Sequence, residues 1–477
     1  MVQEYSKVNN QDNYDEYYRK VTRTRLHSRH SHNEHHMAIP WDELEAGSDS
    51  VPAVQAPFKK KAILASRVGL MQLSGGAGAW RVRDSINIIC KALGITCTVD
   101  IGLITLNCTF YSADPALCGS DDGVCDSFTQ SLTLKTTGIN TDRLMMLSNF
   151  LHNFPYVADK HSIVWFNQVL DSIQSEKAHY SCLDLGFASG FACFAFTFLL
   201  GGGLPEMICA LLGAFVGNLI KTKMVRERLS FFMSVMVSVA MACATYIAAM
   251  KFGEYAFHVK DVHEAGYICA MLFIIPGFPL ITGGTDIAKV EMRSGLERLS
   301  YAFMIITIST LIGWVTADIL DFQPGDFIPL GLSVPVLLIL RLIMSFIGVY
   351  GFSLMYNSPK RMAATAGIIG MIANTTRLFL APYTTGFFAA LVGAAISGLL
   401  AAAVHRKAGY PRVSLSIPAI VIMVPGMYLY RGIFNIGINN FAEAAKWLTN
   451  GMLIILALPL GIVISRFISD WNFRVCS

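Results

Sequence analysis

The sequence predicts a polytopic α-helical membrane protein with about ten transmembrane helices in two inverted five-helix repeats, preceded by an N-terminal cytoplasmic α+β domain. Composition is the first observation: apolar residues make up 53% of the 477 residues and charged residues only 15%. The second is that ten apolar runs of membrane-spanning length follow residue 182, with the charged residues clustered between them. The third is that two of these runs carry the same Pro-Gly interruption, one in each half.

Each of the ten runs approaches or exceeds the ~17 residues that a helix needs to cross the hydrocarbon of a bilayer. The predicted spans are 183–203, 204–220, 229–250, 266–286, 300–320, 330–354, 362–381, 386–404, 414–431 and 447–468. They divide into two membrane halves of five spans, predicted as residues 181–326 and 327–477. Because an odd number of spans reverses the direction of the chain, a repeat of this kind must be inverted.

The two interruptions occupy equivalent positions in the two halves. Pro276-Gly277 lies in the fourth span and Pro425-Gly426 in the ninth, and in both cases five residues and another glycine follow. Proline removes a backbone donor and glycine frees the backbone, so carbonyl and amide groups at a break are able to face a substrate. A matched pair of interrupted spans is the best indication in a sequence of a transporter's binding site.

The residues ahead of the spans are of two kinds. Residues 1–57 are polar and lack apolar periodicity, which predicts a disordered tail. The five histidines between His27 and His36 either bind a metal or belong to a solvated tail. Residues 58–180 predict the α+β domain, with helices at 61–73, 80–93, 141–154 and 159–174 and strands at 96–101, 103–110 and 131–136. No signal peptide is recognisable ahead of it, which favours a cytoplasmic location.

Basic residues predict the orientation of the spans. With the N-terminus inside, the inner loops are 221–228, 287–299, 357–361 and 405–412, and all four are basic. The outer loops 251–265 and 321–326 are acidic or mixed in charge. This asymmetry follows the positive-inside rule and, with ten spans, places both termini in the cytoplasm. We expect the protein to lie in the cell (plasma) membrane. The net charge of +4 is spread over loops and gives no indication of a nucleic-acid partner.

Charged side chains in apolar spans are candidates for substrate or ion binding, because they cost about 3 kcal/mol to insert. Asp286, after the first break, either binds a substrate ammonium or a coupling proton, or pairs with Lys289. Arg377 follows Asn374 by one turn and either holds a substrate carboxylate or extends to the outer surface.

Two more arginines and two asparagines complete the set. Arg341 lies inside the sixth span and pairs with an acid such as Asp318 or Glu206, or with a substrate carboxylate. Arg431 closes the second break. The predicted substrate- or ion-binding residues are Asn218, Pro276, Gly277, Asp286, Arg341, Asn374, Arg377, Pro425, Gly426 and Arg431.

Motifs of other function classes are missing from the sequence. It holds no Gly-x-Ser-x-Gly, no His-Glu-x-x-His, no P-loop and no Cys/His spacing typical of zinc, so we expect no enzyme, no metal centre and no cofactor. A membrane-anchored hydrolase or sensor that acts through residues 58–180 is the alternative. The eleven cysteines are expected to be reduced thiols in the cytoplasm, with a local Cys118–Cys125 disulfide as the other option.

Several motifs, taken in order, carry a family resemblance. They are Leu64–Gly69, Leu73–Val82, Thr98–Ile101, Leu106-Asn107, Pro276–Leu280 with Asp286, Asn357–Arg361 and Met423–Gly432. Together they resemble the threonine/serine exporter family in its fused, full-length form, from about residue 60 to the end. One position departs from the pattern, since Arg83 stands where the family often has an acid.

The resemblance implies secondary active export of small amino acids, namely L-threonine and L-serine, with a C4 dicarboxylate such as succinate as the alternative substrate. Since no nucleotide-binding motif is present, the energy is expected to come from an ion gradient, with protons as the first choice. The expected partners are therefore a small molecule, a lipid membrane and a coupling ion, and a homo-oligomer is possible.

Overall fold

A computed structural model describes residue 41 and residues 51–112, 127–257, 266–322 and 325–474, excluding the side chains of Arg406 and Asn472. The histidine-rich tract and the Cys118–Cys125 pair lie outside the described residues. The eight cysteines within them are free thiols.

Residues 51–175, which we call the N-terminal region, contain four helices and a three-stranded sheet. After a 3-10 turn at Ala53–Gln55 come α1 (Phe58–Ser74), α2 (Ala79–Leu93), β1 (Ile95–Ile101), β2 (Thr105–Ser112), β3 (Ser127–Thr133), α3 (Thr141–Val157) and α4 (Ile163–Ser175). The strands are antiparallel in the order β1-β2-β3, with Val99 opposite Cys108 and Leu106 opposite Leu132. The third strand thus lies four residues earlier than the predicted 131–136, because its register is set by pairing with β2.

Local sequence explains where these elements begin and end. Gly94 ends α2 in the left-handed conformation, at φ 70°. Asn140 and Ser162 cap the N-termini of α3 and α4 with side-chain oxygens. Alternate residues of β2 are buried, which places one face of the sheet against α1.

The rest of the described chain is helical and apolar. The helices are α5 (Cys182–Leu200), α6 (Leu204–Arg226), α7 (Phe231–Phe257), α8 (Gly266–Ala270), α9 (Gly277–Ala288), α10 (Met292–Ile319), α11 (Val334–Met355), α12 (Lys360–Leu380), α13 (Gly386–Ala408), α14 (Arg412–Val421), α15 (Gly426–Gly437), α16 (Phe441–Ser469) and the short α17 (Trp471–Arg474). Eight helices are long and apolar enough to cross a membrane, and two bent pairs raise the number to ten if each pair crosses once. The chain is therefore a multi-pass membrane protein, as predicted.

The bent pairs coincide with the two predicted interruptions. The chain turns by 60° between 266–274 and α9, and by 49° between α14 and α15. A 3-10 turn at Leu272–Ile274 connects α8 to the first break. Both prolines stand just ahead of the helix that follows, where their missing N–H is not needed by a hydrogen-bond ladder.

The fifth span differs from its prediction. It begins at Met292 rather than at residue 300, so the charged residues of the predicted loop 287–299 are partly helical. The sequence does not reveal that the helix starts at Met292, because Arg293, Glu297 and Arg298 are residue types that are common in loops. In the structure Glu297 accepts from the Leu103 amide at 2.6 Å, and Arg298 is buried.

Small residues allow close helix packing between α6 and α7. A Cβ added to Gly213 would lie 2.6 Å from the carbonyl oxygen of Ala242, and one on Gly217 would lie 2.9 Å from that of Ser238. The Ser238 hydroxyl donates to the Gly217 carbonyl at 2.7 Å. These glycines are therefore needed for packing, which is the usual role of small residues between membrane helices.

Candidate functional site

The two breaks have the same backbone geometry. Pro276 has φ −79° and ψ 61°, and Pro425 has φ −81° and ψ 56°. The Gly277 amide donates to the Ile275 carbonyl at 2.8 Å, and Gly426 repeats this bond to Val424 at 2.9 Å. The same turn therefore recurs 149 positions later, from 276 to 425.

The two breaks also pack against each other. A Cβ on Gly277 would lie 3.1 Å from both methyl groups of Val421, which ends α14. A Cβ on Gly426 would lie 2.0 Å from Cδ1 of Ile275 and 2.8 Å from Cδ2 of Leu272. Each glycine thus faces the segment that precedes the other break. The breaks meet in the interior, where α9 and α15 begin.

A buried tyrosine pair joins the same two segments. The hydroxyl groups of Tyr267, on α8, and Tyr430, on α15, are 2.6 Å apart, and the residues are 0% and 1% exposed. Each phenol supplies the other with a hydrogen-bond partner that an apolar interior would otherwise deny it.

The first break borders a cavity of about 450 Å³, which we call the first cavity. Its polar lining includes Asn218, Lys221, Thr222, Arg298 and Tyr301, and Pro276 also lines it. The segment 137–139 of the N-terminal region contributes to the same wall. The first cavity therefore lies where the N-terminal region, α6, α10 and the first break come together.

The second break borders a different cavity of about 600 Å³, which we call the second cavity. Tyr428 and Arg431 of α15 line it, together with Arg341 and Trp447. Arg431 pairs with Asp326 at 2.8 Å, donates to the Gly325 carbonyl at 2.8 Å, and lies 4.9 Å from the ring of Trp447.

Asp286 lies in a buried network at the end of α9. It is 2% exposed, accepts from the Ala79 amide at 3.0 Å and the Ser294 hydroxyl at 3.2 Å, and lies 3.3 Å from Nε of Arg298. Ala79 is the first residue of α2, so the carboxylate satisfies a free amide at the positive end of that helix.

Arg298 completes this network and was not among the predicted site residues. It is 4% exposed and donates to the Ala77 carbonyl at 2.7 Å and the Thr282 hydroxyl at 3.3 Å. The expected alternative, a pair between Asp286 and Lys289, is wrong. Lys289 instead donates to the Phe473 carbonyl at 2.6 Å and lies over that ring at 4.0 Å.

Comparison with models of protein families assigns the chain to a family. One model, described as a threonine/serine exporter, matches residues 63–320, and a second, described as threonine/serine exporter ThrE, matches residues 341–468. The chain belongs to the threonine/serine exporter family. The resemblance of the sequence motifs is thus confirmed, and the family is one of transporters rather than enzymes.

One curated relative of this exporter-family chain is an uncharacterized protein of Haemophilus influenzae. The two are 25% identical over 150 residues, which is 31% of this chain. The chain spans half the length of that relative. No solved structure matches.

Other predicted site residues of this exporter-family protein lie away from the first cavity. Arg377 donates through Nε to Asn374 at 2.9 Å, and the Asn374 amide donates to the Ser345 hydroxyl at 2.9 Å. The predicted one-turn pair therefore forms, but neither residue is among the described residues that line the first or second cavity. Arg341 lies elsewhere, in the lining of the second cavity.

The N-terminal region contacts the start of α10 through ion pairs. Arg83 binds Glu291 bidentately at 2.5 and 2.9 Å, and this hydrogen bonding raises the pKa of Arg83. Arg293 contacts Asp100 of β1. The basic residue at position 83, which departs from the family pattern, thus has an acid opposite it.

The same region contacts the end of α11 through neutral hydrogen bonds. The amide and the hydroxyl of Thr141 both donate to the Tyr356 carbonyl at 3.0 Å. The Asn357 side-chain amide donates to the Asn140 side-chain oxygen at 3.1 Å. Just after the region, Tyr180 donates to the Ser358 carbonyl at 2.7 Å. The N-terminal region therefore contacts both the start of α10 and the end of α11.

Proposed function

We propose that this chain is a secondary active exporter of small amino acids, L-threonine and L-serine, whose substrate passes between two inverted five-helix repeats at the two breaks. The observation that carries the proposal is the reciprocal packing of two identical turns, in which Gly277 faces Val421 and Gly426 faces Ile275. Discontinuous helices that meet at a repeat interface are the usual site of substrate and ion binding in such transporters.

The two cavities support alternating access. Each break borders a cavity of its own, the first at Pro276 and the second at Tyr428. A rocking motion of one half against the other would open these cavities in turn to opposite sides of the membrane.

The helix starts at the breaks suit a carboxylate. Both α9 and α15 begin there, and the first amides of a helix have no acceptor within it. These amides and the helix dipole favour an anionic group at the crossing. Asn218, Pro276 and Arg431 belong to the same proposal as contacts within the two cavities.

A dicarboxylate such as succinate is the second candidate, and the charge of the first cavity favours it. Lys221, Arg226 and Arg298 line this cavity, whereas its described lining holds no aspartate or glutamate. A zwitterion needs a partner for its ammonium, and here only carbonyl and hydroxyl oxygens are available to it. A dianion needs none.

We further propose that protons drive export and that Asp286 carries the coupling proton, since its buried carboxylate contacts both α2 and Arg298. The predicted domain of residues 58–180, which includes most of the N-terminal region, would lie in the cytoplasm with both termini. The membrane halves would be residues 181–326 and 327–477 in the plasma membrane.

The experiment is efflux of labelled L-threonine, L-serine and succinate from cells loaded with each, with and without expression of the chain. Faster efflux of the two amino acids supports the first candidate, and faster efflux of succinate alone supports the second. If none of the three leaves faster, both candidates are wrong. A variant with Pro425-Gly426 replaced by Ala-Ala is the control for expression, because it should insert and yet lose the break.

A further inference from the structure

Lys221 holds an unusual position on α6. Asn218, Lys221, Thr222 and Val225 all line the first cavity, and their spacing of three, four and seven places them on one face of the helix. Phe273, in the turn ahead of the first break, lies across from this face, with its ring centre 5.8 Å from the Lys221 nitrogen. The Lys221 ammonium therefore lies near Phe273, which is three residues ahead of Pro276 in the chain.

The other cations of the first cavity are already engaged. Arg298 is bound to Asp286, Ala77 and Thr282, and Arg226 donates to the Tyr180 carbonyl at 3.0 Å. Lys221, by contrast, has no hydrogen-bond acceptor and no carboxylate in contact among the described residues, and its ammonium lies 5.8 Å from the ring of Phe273. Among the cations of the described lining, Lys221 is therefore the one whose donors have neither a carboxylate nor a carbonyl to bind.

An ammonium in such a place favours an anion. Removal of a charge from water costs several kcal/mol unless an opposite charge or good acceptors replace the water. A substrate carboxylate at about 2.8 Å would form a charge-assisted hydrogen bond with Lys221. The Thr222 hydroxyl, one position further along the helix, could donate to the second carboxylate oxygen. The side-chain oxygen of Asn218 can accept from a substrate hydroxyl or ammonium.

We propose that Lys221 binds a carboxylate group of the transported molecule in the first cavity and makes the cavity selective for molecules that carry one. This inference rests on the proposed function. It identifies chemistry that an amino acid and a dicarboxylate share, and so holds for either candidate substrate. Lys223 is the matched control, since it lies two residues away on the same helix and is exposed.

The test uses the purified full-length chain in detergent and follows its thermal unfolding as ligand is added. The probes are L-serine, succinate and L-serinamide, which keeps the hydroxyl and ammonium of serine but lacks the carboxylate. L-serine or succinate should stabilise the wild type, and L-serinamide should not. Lys221→Gln should weaken carboxylate binding about tenfold or more, the loss expected for one charge-assisted hydrogen bond. Lys221→Arg should retain most of the affinity, and Lys223→Gln all of it.

Several results would overturn the inference. One is unchanged carboxylate affinity in Lys221→Gln; another is equal binding of L-serine and L-serinamide; a third is a wild type that neither L-serine nor succinate stabilises. If Lys221→Gln does not fold, Lys221→Met, of similar length and also uncharged, takes its place. Failure of the proposed function looks different: carboxylates would bind in a Lys221-dependent way while cells expressing the chain show no added efflux.

Discussion

Replacement of Asp286 by asparagine keeps the shape of the side chain but removes its charge, and so tests the contact between the N-terminal region and the first break. The asparagine oxygen can still accept from the Ala79 amide and the Ser294 hydroxyl. Arg298, 4% exposed, would lose its counter-ion and keep only its neutral acceptors.

The size of the effect follows from the burial of both partners. Removal of one member of a buried ion pair costs about 3–5 kcal/mol, mostly because the remaining charge stays buried. Since Arg298 keeps the Ala77 carbonyl and the Thr282 hydroxyl, we expect the lower end, about 3 kcal/mol. Arg298→Gln should cost a similar amount, and the double variant should cost less than the sum by about 2 kcal/mol, because the two residues interact directly.

The assay is hydrogen exchange at the first turn of α2, measured by mass spectrometry on the full-length chain in detergent. A loss of 3 kcal/mol from a local opening corresponds to roughly a hundredfold faster exchange of the amides near Ala79. Glu443→Gln is the control, since its partner Lys446 lies 3.4 Å away in an exposed pair that is worth less than about 1 kcal/mol.

Two results would contradict a stabilising ion pair between Asp286 and Arg298. If Asp286→Asn left both the exchange near Ala79 and the thermal unfolding of the chain as they are in the control, the ion pair would not hold α2 in place. Additive effects of the Asp286 and Arg298 substitutions would likewise show that the two side chains do not interact energetically.

Four further outcomes are expected. Gly426→Ala should slow efflux per folded molecule and cost about 1–3 kcal/mol of stability through overpacking. Gly253→Ala, which meets nothing within 4 Å and lies inside α7, should leave efflux unchanged and raise stability by up to about 1 kcal/mol. Arg431→Lys should weaken the apparent substrate affinity severalfold with under about 1 kcal/mol lost in stability, because Asp326 is 88% exposed; unchanged transport kinetics would exclude Arg431 from the site. Single cysteines introduced within 405–412 should not react with an impermeant thiol reagent added outside the cell, and labelling from outside would contradict the predicted orientation. A protonophore should abolish uphill efflux at constant ATP, and persistent uphill efflux would contradict proton coupling.

The spans and the breaks could be predicted because their signals are local. An apolar run of sufficient length has few alternatives to a membrane helix, and Pro276-Gly277 and Pro425-Gly426 interrupt such runs whatever surrounds them. The start of the fifth span could not be predicted in this way. Its first two turns carry charges that resemble a loop until Leu103 and Ala77 are known to lie against them.

The site was harder to predict because its partners are distant along the chain. Arg298 meets a carbonyl 221 residues away, and Tyr267 meets a hydroxyl 163 residues away. A tyrosine in an apolar run indicates only packing, and a basic residue at a helix end indicates only orientation. Lys221 was assigned to an inner loop for that reason, although it lies within α6 and lines the first cavity.

The two breaks share their turns but not their charged surroundings, and this difference bears on how the halves could move. The position 149 residues after Asp286 is Asn435, whose amide donates to the Arg431 carbonyl of its own helix at 2.7 Å. The first break is thus followed by an ion-paired carboxylate bound to α2, and the second by a neutral residue with a local bond. Because the N-terminal region also contacts Tyr356 of the second half, separation of the halves on that side would have to disrupt one set of contacts. Breaking each neutral hydrogen bond at Tyr356 costs about 1 kcal/mol of free energy, whereas breaking the buried ion pair between Asp286 and Arg298 costs more. We therefore expect the N-terminal region to stay with the first break and to release the second half when the first cavity opens.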